Sequence, residues 1–200
     1  MKIEQIYTGC LAQGAYYIES NGEVAIIDPL RETQSYIDQL ENKNIRILIP
    51  GCGNAYEAEY LLEQGFTNIT LIDISEIVVE KIKEKFKHIP NIKVLHQDFF
   101  ELDGEFDLIL EQTFFCALDP KLRQSYSIKM NELLAENGKL VGVLFNREFG
   151  NDTPPFGGDK TEYQTYFNDY FDFKVMENCY NSIPPRAKTE LFINLKKIAK

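Results

Sequence analysis

One stretch of this chain constrains its fold more than any other: residues 45–75, in which a short apolar run (Ile45, Ile47, Leu48, Ile49) meets a glycine turn, Gly51-Cys52-Gly53. An amphipathic segment follows, then a second apolar run that ends in the acid Asp73. That order reads as strand, turn, helix, strand. The glycines let backbone approach a ligand, and an acid at the tip of the next strand is placed to accept hydrogen bonds from a ribose diol. The unit therefore reads as a nucleoside-cofactor site.

The turn narrows the cofactor. A dinucleotide turn needs a third small residue so that helix and strand close around a pyrophosphate. Here Tyr56 and Glu57 stand instead, one bulky and one anionic. Neither opposes a cationic, phosphate-free cofactor such as S-adenosylmethionine. No Gly-Lys-Ser/Thr follows, which excludes a P-loop.

The rest of the chain alternates. Asn54 with Glu57 is expected to cap the first helix, whose stripe is Ala58, Leu61 and Leu62 and whose stop is Gly65. Ile69 to Ile72 is a strand, and Ser75 caps a helix carrying Val78, Ile82 and Phe86. Further strands are expected at residues 92–95, 106–110 and 139–145. Between the last two, Asp119-Pro120 opens a helix with Leu122, Tyr126, Met130 and Leu133 on one face, ended by Asn137-Gly138. Asp159 with Glu162 starts a shorter helix. Residues 171–177 and 190–195 then read as two strands without a helix between them. This pattern predicts an α/β fold, a doubly wound and mostly parallel sheet with an antiparallel C-terminal strand pair.

Composition bounds the partners. The 200 residues carry a net charge of −10, which argues against nucleic acid and leaves small molecules as the natural ligands. Cysteines at 10, 52, 116 and 179 form no CxxC pair, and with two histidines no metal site is expected. The N-terminus has no long apolar run, so no membrane association is expected and the cytoplasm is the default location. Cys116 reads as a buried structural thiol, because no histidine shares its motif.

From about Tyr36 onward, the segment FDLILEQTFFCALDPKLRQSYSIKM (residues 106–130) and Pro154-Pro155-Phe156 resemble class I S-adenosylmethionine-dependent methyltransferases. Within them the chain is similar to the thiopurine, thiol and halide methyltransferase superfamily. The resemblance implies a Rossmann-like fold and S-adenosylmethionine as cofactor, with S-adenosylhomocysteine as product. It also implies methyl transfer to a small-molecule thiol, thiopurine-like or halide acceptor. Gly51 and Gly53 would approach the methionine portion of the cofactor. Asp73 and the adjoining Ile74 would meet the ribose, Asp98 and Phe99 would flank adenine, and Glu111 and Thr113 would floor the site. Phe114, Phe115 and Phe156 would wall the acceptor pocket. Arg123, on what reads as a polar helix face, and Arg186 would steer or hold the acceptor.

The first 33 residues depart from that family, which opens on a segment rich in tryptophan and arginine; this chain has no tryptophan. They resemble the opening strands of metallo-β-lactamase-fold hydrolases, without the HxHxDH metal motif, and Asn21-Gly22 reads as a hairpin turn. A β-hairpin extension (residues 1–33) ahead of the methyltransferase domain (residues 34–200) is expected. It would pair with a sheet edge or a second copy, so the chain would be a monomer or a hairpin-linked homodimer. Alternative readings are a cofactor-binding protein with weak or no catalysis, its lid replaced, and a nicotinamide-dependent oxidoreductase.

Overall fold

The computed structural model describes residues 2–7, 14–20, 23–27, 42–180, 182 and 184–198. The first strands, β1 (Lys2–Tyr7), β2 (Gly14–Ser20) and β3 (Glu23–Ile27), form an antiparallel sheet of their own in the order β1-β2-β3. β2 and β3 make the expected hairpin, and β1 adds a third strand on the other edge of β2. Ser20 lies opposite Glu23, while the Asn21-Gly22 turn, Cys10 and the boundary at residues 33–34 lie outside the described residues. The sheet adds no strand to the larger one.

Seven strands make the main sheet: β4 (Ile47–Pro50), β5 (Ile69–Asp73), β6 (Ile92–His96), β7 (Phe106–Gln112), β8 (Leu134–Phe145), β9 (Phe171–Asn178) and β10 (Glu190–Lys197). Their order is β6-β5-β4-β7-β8-β10-β9. The first five run parallel, and β10 lies antiparallel between β8 and β9. From β4 the chain winds outward to β6, then returns to β7 on the other side. The strand order therefore reverses between β4 and β7, and ligands of open α/β sheets bind at the carboxyl ends of such a pair.

β4 is buried throughout, as an interior parallel strand must be. Its alternate residues enter different cores. Ile47 and Ile49 join Leu108, Leu110, Ala58, Leu61 and Ile82, under helices α1 (Tyr56–Glu63) and α2 (Glu76–Lys85). Leu48 and Ile109 join the opposite, aromatic core with Phe115, Tyr126, Tyr163 and Phe167, under α3 (Arg123–Leu133) and α4 (Lys160–Phe167).

Several local expectations hold. Ser75 Oγ accepts from the Val78 N–H, and Asp159 Oδ1 accepts from the Glu162 N–H. Gly65, at φ +85°, ends α1 in a Schellman motif, with Gly65 N–H to Leu62 O and Phe66 N–H to Leu61 O. Others are corrected. Asn54 does not cap α1; the N-cap is Ala55 in the left-handed region, because Lys81 Nζ binds Asn54 Oδ1 at 3.0 Å and Lys85 Nζ binds its carbonyl at 2.8 Å. On α2 the buried residues are Val79 and Ile82, with Val78 half-buried. Pro120 to Leu122 form a 3-10 turn capped by Asp119, which rotates Leu122 outward and Arg123 inward. Asn137-Gly138 do not close the helix in a loop. They lie within β8, where the register against β7 shifts.

Candidate cofactor and acceptor site

The glycine turn follows β4 and is laced to the end of β5. Cys52 N–H donates to Ile72 O at 3.2 Å, and Gly53 N–H donates to Asp73 Oδ2 at 3.2 Å. Asp73 Oδ1 accepts from Ser75 N–H at 2.9 Å. Each carboxylate oxygen thus takes one backbone donor and keeps a lone pair for another. Gly51 and Gly53 have φ of +56° and +49°. A Cβ on Gly53 would meet nothing within 4 Å, whereas one on Gly51 would lie 2.3 Å from the Phe114 ring. The open approach is therefore at Gly53, and Phe114 stands over Gly51.

Ile74 and Ile77, just past Asp73, are 70% and 81% exposed, an apolar rim beside the acid. His96 at the end of β6 contacts the Ile74 carbonyl at 3.1 Å. Asp98 caps a 3-10 turn through the Phe100 N–H at 2.9 Å. Phe99 is buried and packs edge-on against Phe100 and Phe114 with centroids 5.3 Å apart, so its ring belongs to the core. At the end of β7, Thr113 has φ +61°, and its buried Oγ1 has no partner among the described residues. Gly51, Gly53, Asp73, Ile74, Asp98 and Thr113 thus gather at the carboxyl ends of β4 to β7.

The loops after β7 and β8, where the acceptor is expected, are built differently. Glu111 is 1% exposed, in the aromatic core rather than on an open floor. Tyr126 OH donates to Glu111 Oε2, and the Phe115 N–H donates to Oε1 at 3.1 Å. Burial pushes this carboxyl up to about 7, against the opposing pull of the Tyr126 hydroxyl and the Phe115 and Phe114 N–H groups. Phe115 is completely buried among Tyr126, Tyr163 and Phe167, which corrects its expected place on a pocket wall. Phe156 is half-buried, and its N–H donates to Cys116 O at 2.7 Å. Burial pushes the Cys116 thiol up to about 12, in keeping with a structural thiol.

Arg123 is not on a polar face. It is 2% exposed, with Nη1 on Glu162 Oε1 and Nη2 on Gly157 O, both at 2.6 Å. Arg186 is buried too, pairing with Glu190 at 3.2 Å over the Phe145 ring. Ser182 Oγ donates to the second Glu190 oxygen at 2.7 Å. Sequence reasoning missed the partners: Lys81 and Lys85 under the glycine turn, Tyr126 beneath Glu111, and Glu162 as the counter-ion of Arg123. Among the described residues, no group of three or more His, Cys, Asp or Glu could hold a metal ion, and no helix is long and apolar enough to cross a membrane.

The family model for thiopurine S-methyltransferase matches residues 30–197. The Arabidopsis thaliana protein named "Probable thiol methyltransferase 2" is 35% identical over 126 residues, 60% of this chain and 55% of its own length. Thiocyanate methyltransferase 1 of Brassica oleracea is 31% identical over 156 residues, 73% of this chain and 67% of its own. The alignment thus spans little more than half of the Arabidopsis protein. Among solved structures, the N-methyltransferase NodS of Bradyrhizobium japonicum in complex with S-adenosyl-L-homocysteine superposes with a TM-score of 0.66 at 18% identity, covering 84% of this chain and 86% of that one. That likeness concerns the fold, a Rossmann-like one shared with solved methyltransferases. The chain belongs to the thiopurine S-methyltransferase family.

Proposed function

We propose that this protein is an S-adenosylmethionine-dependent S-methyltransferase acting on a small thiol, thiopurine-like or halide acceptor. The observation that carries the reading is the Asp73 carboxylate, held by the N–H groups of Gly53 and Ser75 at the strand-order reversal of a chain from this family. The residues present fit the cofactor. Gly53 leaves open space for it, Asp73 keeps accepting capacity for a ribose diol, and Ile74 with Ile77 offer apolar cover beside it. Asp98 suits an exocyclic amine, and the buried Thr113 hydroxyl lies at the neighbouring strand end.

When bound, S-adenosylmethionine supplies an electrophilic methyl group on a sulfonium centre and leaves as S-adenosylhomocysteine. The chain's own contribution is orientation and exclusion of water, for which Phe114 and Phe156 are the wall residues. Glu111, 1% exposed in the aromatic core with Tyr126 and Phe115 on its oxygens, does not face an acceptor and is not assigned as a general base. A thiolate or halide needs none; an amine or hydroxyl acceptor does. Arg186, tied to Glu190, holds the last connection at the acceptor side.

Residues 1–33 form a separate N-terminal segment in this reading, residues 34–200 the methyltransferase domain, and a homodimer through the N-terminal strands is the assembly to test by light scattering. A cytoplasmic location is part of this reading. The functional test is a labelled-methyl screen over thiols, thiopurines, hydrosulfide and iodide. Transfer to at least one of them is expected; transfer only to amines would contradict the proposed chemistry.

A further inference from the structure

We infer that Arg123 is a positioning residue: paired with Glu162, it clamps the loop of residues 147–158 and so sets the acceptor wall at Phe156. The inference rests on the S-methyltransferase reading. It differs from the simplest expectation for an arginine beside an acceptor, which is that the guanidinium touches the substrate.

Both terminal nitrogens of Arg123 are occupied, while its buried Nε has no partner among the described residues. Its fork reaches two elements at once, Glu162 on α4 through Nη1 and the Gly157 carbonyl through Nη2, both at 2.6 Å. These are charge-assisted bonds, shorter and stronger than neutral ones. The guanidinium carbon lies 5.0 Å from the centre of the Phe115 ring and 5.5 Å from that of Tyr163, within cation–π range. Glu162 Oε1 also takes the Tyr166 hydroxyl at 3.3 Å.

The loop is fixed at three successive residues by three different elements. Phe156 N–H donates to Cys116 O after β7, Gly157 O accepts from Arg123 on α3, and Gly158 N–H donates to Arg147 O after β8. Glycine is required at the last two. A Cβ on Gly157 would lie 2.1 Å from Arg147 O, and one on Gly158 would lie 2.6 Å from the Tyr163 ring and 2.7 Å from Glu162 Oε2. Such an arrangement fixes the backbone path of the loop at Phe156. Lysine could supply the charge but not the two-ended fork. Specificity for acceptor size is therefore set by a clamp whose members need not touch the acceptor.

The test compares wild type, R123K, E162Q and the double variant by S-adenosylhomocysteine calorimetry and by steady-state kinetics on the best acceptor of the screen. The clamp predicts cofactor affinity within about twofold of wild type in all four. It predicts acceptor KM raised about tenfold by either single change, with kcat reduced much less, and a double variant no worse than the worse single. A collapsed kcat in R123K beside a wild-type E162Q would overturn the inference, because Arg123 would then act on the acceptor alone. Should R123K not fold, E162Q decides, since Glu162 is partly exposed. Should no acceptor turn over, amide exchange decides: faster exchange at Phe156 and Gly158 in E162Q, with the glycine turn unchanged, supports the clamp, and unchanged exchange overturns it. Loss of cofactor binding in the wild type would instead defeat the parent reading.

Discussion

The two sides of the sheet's carboxyl edge solve one problem with different materials. On the cofactor side, after β4 and β5, the turn is held by backbone hydrogen bonds, one acid and two lysines near the surface. On the proposed acceptor side, after β7 and β8, the loops are held by ionisable groups sunk among rings: Glu111 with Tyr126, Arg123 with Glu162, Arg186 with Glu190. The difference follows from what each side must present. A cofactor with a fixed shape can be met by a backbone turn with open space beside it. An acceptor wall made of irregular loop needs anchors, and a buried ionic group fixes position strongly because leaving it unsatisfied is costly.

Substitutions can separate the two sides. The largest effect is expected at Gly142 of β8, where a Cβ would lie 1.8 Å from the Glu111 carbonyl of β7. Gly142→Ala must push those paired strands apart, and a loss of about 3 kcal/mol is expected in urea unfolding. A smaller loss would mean that the acceptor side yields more readily than its packing implies.

Next comes the buried carboxyl. Because burial raises Glu111 in the folded state from 4.5 to about 7, the protonated form favours folding. Its contribution is full below pH about 4.5, falls as pH rises toward about 7, and is gone above that. Glu111→Gln should abolish this slope, so that the difference in Tm between variant and wild type grows from pH 4.5 to 7. A constant difference would contradict the assignment. Tyr126→Phe removes a donor from the same carboxylate, with an expected cost of about 2 kcal/mol near neutral pH. It should extend the upper edge of the sloping window to higher pH, since only the folded-state value rises.

The cofactor side should answer in binding more than in stability. Gly51→Ala combines left-handed strain of about 1–2 kcal/mol with displacement of the Phe114 ring, and Phe114→Ala should relieve the second part. Gly53→Ala should cost about 1 kcal/mol in stability, because its side is open. It should nevertheless weaken S-adenosylhomocysteine binding about tenfold, since the methyl enters the approach path. Equal affinity in the variant and wild type would show that the ligand does not come past Gly53.

The cofactor half was the more legible in sequence, for a physical reason. Its signals are local: apolar runs of strand length, glycines at positive φ, an acid at a strand tip, Ser75 as a cap, Gly65 as a stop. The acceptor half is held by pairs remote in sequence. Nothing near Arg123 announces Glu162, 39 residues on, and a helix face that reads as polar can be buried when a distant carboxylate neutralises it. Phe115 looked like a pocket wall for the same reason, since only the fold shows that α4 covers it. Asn54 has the local signature of a cap, but two lysines from the next helix outcompete that role. Asn137-Gly138, a strong helix stop, was absorbed into β8 as an irregularity of the ladder.

The central claim is that the Gly51–Gly53 turn and Asp73 bind S-adenosylmethionine. Calorimetric titration of S-adenosylhomocysteine into the wild type and into Asp73→Asn tests it most directly. The account predicts saturable one-site binding in the wild type, weakened at least about tenfold when the carboxylate becomes an amide that cannot accept both ribose hydroxyls. No binding in the wild type, or equal binding in the two proteins, would contradict it.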